Sequence, residues 1–133
     1  MHASDITRVV SLRGFCYTLA YNHNAEKEDS PMTIQEKYMK AALRLAQNAA
    51  DEGEVPVGAV IVCDGKIVGR GRNRRETRKD ALCHAELEAI HKACKKLGGW
   101  RLHQCDLYVT LEPCPMCTGA IINARIKTVY YGT

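Results

Sequence analysis

A chain of 133 residues with a formal charge of +4 and 46% hydrophobic residues has room for one compact core and none for two. No apolar run approaches the roughly 20 residues needed to span a bilayer, and Arg13 interrupts Val9 to Tyr21, the one stretch that could imitate a signal core. The cysteines number seven, odd in an otherwise ordinary globular composition, so reduced thiols in a soluble, cytoplasmic protein are expected rather than a secreted disulfide scaffold.

Residues 1–31 show no sustained helical or strand period and end in the polar run Asn22 to Ser30 and Pro31. They read as a poorly ordered N-terminal extension to a domain over 32–133. Thr33-Ile-Gln-Glu36 is a capping-box pattern. Behind it Ile34, Tyr38, Ala41, Ala42, Leu45 and Ala49 keep helical spacing as far as Gly53. Val57 to Cys63 is a β-branched run, Asp64-Gly65 a hairpin turn, and Lys66 to Gly71 the returning strand.

An Arg-rich loop follows: Arg70 to Lys79 holds six basic residues and one acidic residue. It suits a phosphate backbone, or is simply a solvated loop. The spacing of Ala85, Ala89, Ile90, Ala93 and Leu97 predicts a helix from about His84 to Leu97, stopped by Gly98-Gly99. Trp100 is expected in the core. Asp106 to Leu111 reads as a buried strand, Cys114 to Ala124 as a short helix and Lys127 to Gly132 as a strand. Together they make a right-handed βαβ unit with parallel strands.

The chemistry concentrates in His84-Ala85-Glu86 and Pro113-Cys114-Pro115-Met116-Cys117. Both lie where a loop hands over to a helix, and the positive end of a helix dipole favours the deprotonated ligand that a metal needs. Cys114 and Cys117 are three apart, which puts both sulfurs on one face of a first turn. Two thiolates and an imidazole suit Zn²⁺, and a count of three leaves a coordination position open for water, as in hydrolytic sites. Glu86 is then the natural proton carrier, although it could also serve as a fourth ligand. A closed structural site would instead draw its fourth ligand from Cys83, His91, Cys94, His103 or Cys105. Cys16, Cys63, Cys94 and Cys105 read as small buried hydrophobes, and His103 as a surface or capping residue.

These two motifs resemble the zinc-dependent cytidine deaminase-like superfamily, whose H-x-E and P-C-x-x-C signatures they carry in full. Within it the chain is similar to the bacterial tRNA adenosine deaminase family. The similarity rests on Gly53-Glu-Val-Pro-Val-Gly-Ala59, Asn73 with Arg75-Glu76-Thr77, His84-Ala-Glu-x-x-Ala-Ile90, Trp100-Arg-Leu102 and Tyr108 to Cys117, and it runs from about Met32 to the last residue. The resemblance implies a three-layer α/β fold, a central mixed β-sheet flanked by helices, with the family's C-terminal helices absent. It implies hydrolytic conversion of adenosine to inosine at the wobble position of tRNA, with one Zn²⁺ per chain on His84, Cys114 and Cys117 and with Glu86 as catalytic proton carrier. Asn73 would hydrogen-bond the extruded nucleotide, and Val57 and Ala85 would line the base pocket. Arg72, Arg74, Arg75 and Arg78 then read as contacts to the RNA backbone. The implied partners are a tRNA anticodon stem-loop and a second copy of the chain. A guanine-type free-base deaminase with the same zinc site, and a non-catalytic zinc-stabilised RNA-binding fragment, are the competing readings.

Overall fold

The computed structural model of the protein describes residues 6–11 and 31–132. Thr33 caps helix α1 (Ile34–Asp51): its hydroxyl accepts from the Glu36 amide at 3.2 Å, and the Glu36 carboxylate accepts from the Thr33 amide at 2.8 Å. The capping box read from sequence is therefore present. The helix buries Tyr38, Met39, Ala42, Ala46 and Ala49, while Ile34 stays exposed.

Strands β2 (Gly58–Cys63) and β3 (Lys66–Arg72) form the expected hairpin. Asp64 and Gly65 both take positive φ, 50° and 73°, as a two-residue turn that follows the strands' twist demands. The Arg-rich stretch is less of a loop than its composition suggests. β3 continues to Arg72, and Arg75–Arg78 form a single helical turn, α2. Helix α3 (Ala85–Leu97) ends at Gly98 with φ 70°. Strand β4 (Cys105–Val109), helix α4 (Pro115–Asn123) and strand β5 (Thr128–Gly132) complete the βαβ unit, with β4 and β5 parallel as predicted.

The N-terminal stretch corrects its sequence reading at one place: Ile6–Ser11 form strand β1, antiparallel to β5. The run Ile-Thr-Arg-Val-Val-Ser is too short to show a period. Its β-branched residues suit a strand, and β5 would otherwise present an unpaired edge. The sheet order is β1-β5-β4-β2-β3, mixed because only β4 and β5 run parallel. The expected α/β architecture with a central mixed sheet is what the chain adopts.

Alternation along β2 and β4 divides the core in two. Ala59, Ile61, Leu107 and Val109 face α3 and α4 and pack with Ala85, Ala89, Ala93 and Ile121. Val60, Val62 and Tyr108 face α1 and pack on Tyr38, Met39 and Ala42. Tyr130 stacks on Tyr108 with ring centres 4.5 Å apart, and the Tyr38 hydroxyl donates to the Gly65 carbonyl at 2.6 Å. The helices lie unusually close to the sheet. A Cβ on Gly71 would come within 2.0 Å of the Ala85 carbonyl oxygen, and one on Gly58 within 2.0 Å of that of Ala42. Only glycine permits those approaches.

Three side-chain expectations need correction. Trp100 is 51% exposed and covered on one face by the Arg101 guanidinium, 4.3 Å from the ring centre, so cation–π stacking rather than core packing accounts for it. Cys63 and Cys94 are half-buried, packed against the edge of the core that holds the buried Cys105; Cys16 lies outside the described residues. His103 is exposed, as expected.

Candidate active site

Two helix starts converge. His84 is the N-cap residue of α3 and Cys114 that of α4, neither side chain hydrogen-bonding its own helix; Pro115 opens α4, and Cys117 lies one turn in. Pro at the first helical position is pre-set for the helix and has no amide to leave unpaired. The Cys83 carbonyl accepts from the Arg74 amide at 3.0 Å, which fixes the approach to His84.

The Cys114 and Cys117 sulfurs lie 3.7 and 3.6 Å from Nδ1 of His84. A tetrahedral zinc with Zn–N near 2.0 Å and Zn–S near 2.3 Å separates its nitrogen and sulfur ligands by about 3.5 Å. The three ligand atoms therefore fit the ion. Among the described residues they form the one His, Cys and carboxylate group close enough to share a metal. His91, Cys94, His103, Cys105 and Cys83 do not join it, and neither does Glu86. Cys117 is fully buried, and burial foremost, with Glu86 and Cys114 adding to it, drives its thiol far above the ordinary range. Such a thiol ionises when a cation takes its proton's place.

Glu86 is 4% exposed. Burial raises its carboxyl above the usual carboxylate value, against its own backbone amide, His84 and Cys117. A neighbouring acid left free of the ligand set, with a raised affinity for protons, is equipped to take and return one.

Beside this centre opens a cleft of about 150 Å³, lined by Val55, Val57, Asn73, Arg75, His84, Glu86, Leu111, Glu112 and Cys114. Asn73 is held in place: its amide nitrogen donates to the Val55 carbonyl at 3.3 Å, its Oδ1 accepts from the Arg75 amide at 3.2 Å, and its backbone amide donates to Val57 at 3.0 Å. One Nδ2 hydrogen and one Oδ1 lone pair stay available to a ligand. Val57, whose carbonyl accepts from the Asn73 backbone amide, lines the cleft beside it. Ala85, in contrast, is fully buried in the α3 core and is not among the lining residues. It sits where Gly71 lets the helix touch the sheet.

The four arginines divide. Arg72 is bidentate on Glu52 at 2.7 and 3.2 Å, and Arg74 lies 3.7 Å from Glu88 with its Nε buried and unpartnered among the described residues. Arg75 and Arg78 are exposed, and Arg75 lines the cleft. Four residues of the cleft and its frame were not singled out from sequence: Glu54, Val55, Leu111 and Glu112. All four lie inside the stretches that carry the family resemblance, Gly53 to Ala59 and Tyr108 to Cys117, which was the only signal for them.

Residues 32–133 match the family model for the cytidine and deoxycytidylate deaminase zinc-binding region. The chain is 52% identical over 101 residues to the tRNA-specific adenosine deaminase of Bacillus subtilis (strain 168), covering 76% of this chain and 63% of that protein. It is 50% identical over 113 residues to the chloroplastic tRNA(adenine(34)) deaminase of Arabidopsis thaliana, covering 85% of this chain and 8% of that one. The chain thus spans less than two thirds of the length of these curated relatives. Among solved structures, a guanine deaminase from Bacillus subtilis superposes with a TM-score of 0.71 at 48% identity, over 74% of this chain and 63% of that one. A structure described for A-to-I editing by tRNA:A34 deaminases superposes with a TM-score of 0.68 at 47% identity, over 71% and 72%.

Proposed function

Because the chain belongs to the cytidine and deoxycytidylate deaminase zinc-binding family, we propose that it deaminates adenosine to inosine by hydrolysis at the wobble position of a transfer RNA. The observation that carries this reading is the placement of Glu86: a buried carboxylate next to His84 and Cys117, outside the ligand group, on the wall of an open cleft. His84, Cys114 and Cys117 would hold zinc, and a zinc ion bound there supplies a Lewis acid that lets water give up its proton near neutral pH. Glu86 takes that proton as the water oxygen bonds to the purine carbon. It then hands the proton to the amino nitrogen, which leaves as ammonia, so that C–O replaces C–N and the carboxylate is regenerated.

Asn73 orients the nucleotide through its free donor and acceptor, and the Val57 side chain lines the base pocket next to it. Ala85 serves behind the wall, bringing His84 and Glu86 close to β3 through its contact with Gly71. Arg75 and Arg78 meet phosphates directly. Arg72 and Arg74, paired with carboxylates, add positive potential while keeping the segment in place. An anticodon loop suits such a cleft because its bases are already unpaired and cost little to splay outward. The reading places the activity in residues 32–133, treats 1–31 as an extension, and extends to a homodimer working in the cytoplasm. No described helix is long and apolar enough to cross a membrane.

The guanine deaminase among the structural relatives supports a second reading, a free-base deaminase. Against it stands Arg75 at the mouth of the cleft, where a free base offers no phosphate. Zinc-loaded protein incubated with an adenosine-34 stem-loop and, separately, with guanine decides between them. Inosine in the stem-loop with guanine untouched is the expected result, and turnover of guanine alone overturns the proposal.

A further inference from the structure

We propose that Glu54 is a positioning residue of the cleft, its carboxylate tying the Gly53–Val57 segment to the α2 turn and so fixing Asn73 and Arg75 where they meet the nucleotide. This rests on the deaminase reading above.

Glu54 follows the end of α1 and is 5% exposed, among the few buried charged side chains of the described residues. It does not bond to any of the surrounding arginines. Its two oxygens accept from the backbone amides of Thr77 at 2.7 Å and Glu76 at 3.2 Å. Those amides open α2, a turn with no side-chain cap of its own, and they would be left unpaired if the carboxylate were removed.

The consequence reaches the cleft through two residues. Arg75, directly before Glu76, gives its amide to Asn73 Oδ1. Asn73 returns its own Nδ2 to the Val55 carbonyl, directly after Glu54. Glu54, Val55, Asn73, Arg75 and the first amides of α2 therefore form a closed circuit of hydrogen bonds joining two segments distant in sequence. Val55 and Val57 on one segment, and Asn73 and Arg75 on the other, are cleft-lining residues. The circuit contains no metal ligand, so it holds Asn73 and Arg75 beside Val55 and Val57 independently of the metal centre. Glu88 supports the other end by accepting from the Arg72 amide at 2.9 Å. Glu54 thus acts on Asn73 and Arg75 and does not itself reach a substrate.

The test compares full-length native chain, Glu54→Ala and Glu54→Gln. Each is assayed for zinc content, for steady-state kinetics on an adenosine-34 stem-loop, and for hydrogen exchange of the Glu76 and Thr77 amides without RNA. Glu54→Ala should keep one zinc per chain, raise KM roughly tenfold or more with kcat changed far less, and lose protection at both amides. Glu54→Gln retains an acceptor oxygen for the shorter bond and should restore Thr77 protection and most of the KM. Native KM in a zinc-loaded Glu54→Ala chain, or amide protection unchanged by that substitution, overturns the proposal. Should Glu54→Ala fail to fold, a Glu54→Gln chain with native KM and no Thr77 protection overturns it equally. If the native chain yields no inosine, the deaminase reading fails, while the amide exchange still reports on the circuit.

Discussion

Replacing Gly71 by alanine tests how α3, and with it His84 and Glu86, is seated on the sheet. The added Cβ would lie 2.0 Å from the Ala85 carbonyl oxygen and 2.8 Å from the Ala89 amide nitrogen. Both neighbours are backbone, so no rotamer change relieves the clash, and helix and strand must part by about 1 Å or more to restore ordinary contact. Overpacking of this kind costs about 1–3 kcal/mol, and the rigidity of both partners points to about 3. In a domain of this size that lowers the melting temperature by roughly 10 °C or more. Displacing Ala85 also moves His84 relative to the two cysteines by more than the ~0.2 Å that metal ligand distances tolerate, so zinc affinity should fall as well. Thermal melts and zinc titration against a chromophoric chelator read both effects. Gly119→Ala is the control: its Cβ meets nothing within 4 Å on a helix, and it should stabilise by about 0.5–1 kcal/mol. A Gly71→Ala chain that melts with the native one and binds equimolar zinc with native affinity would refute the reasoning.

Trp100→Ala should cost less than about 1 kcal/mol in denaturant melts, because the ring is 51% exposed and loses chiefly its Arg101 contact. A core tryptophan would cost about 3–5 kcal/mol. In metal-free protein, burial keeps the Glu86 carboxyl above its unfolded value. Its contribution to stability is then complete below the unfolded value of about 4.3 and is lost as pH rises through the folded one. Metal-free Glu86→Gln should therefore be the more stable chain at neutral pH, with the difference shrinking on acidification. A difference that grows as pH falls contradicts the burial of the carboxylate.

What could be read from the residues alone was whatever short-range chemistry dictates. The Thr33 box, the Asp64-Gly65 turn and the glycine stop at Gly98 are local, and each formed where its residues stood. The three metal ligands were legible too, because strand-to-helix junctions placed them at helix starts before any tertiary contact was known. Features decided across the fold were not. Ile6–Ser11 became a strand because β5 had a free edge. The Arg-rich segment was ordered by Glu54 and Glu88, acids distant from it in sequence whose backbone partners no motif specifies. Ala85, sequence neighbour to both His84 and Glu86, faces inward because the third and fourth positions of the helix, not adjacent ones, share its face. Trp100 carried an ordinary expectation of burial, reversed by its place after Gly98-Gly99 at the end of α3.

The measurement closest to the central claim is inosine formation in an adenosine-34 stem-loop by native and Glu86→Gln chains, each with its zinc content determined on the same sample. Native chain with one zinc should produce inosine, and Glu86→Gln with the same zinc should produce it at least a hundredfold more slowly, in line with the loss of a general acid–base group, about 10²–10⁴-fold. Equal rates from the two chains, or no inosine from a zinc-loaded native chain, would contradict the account.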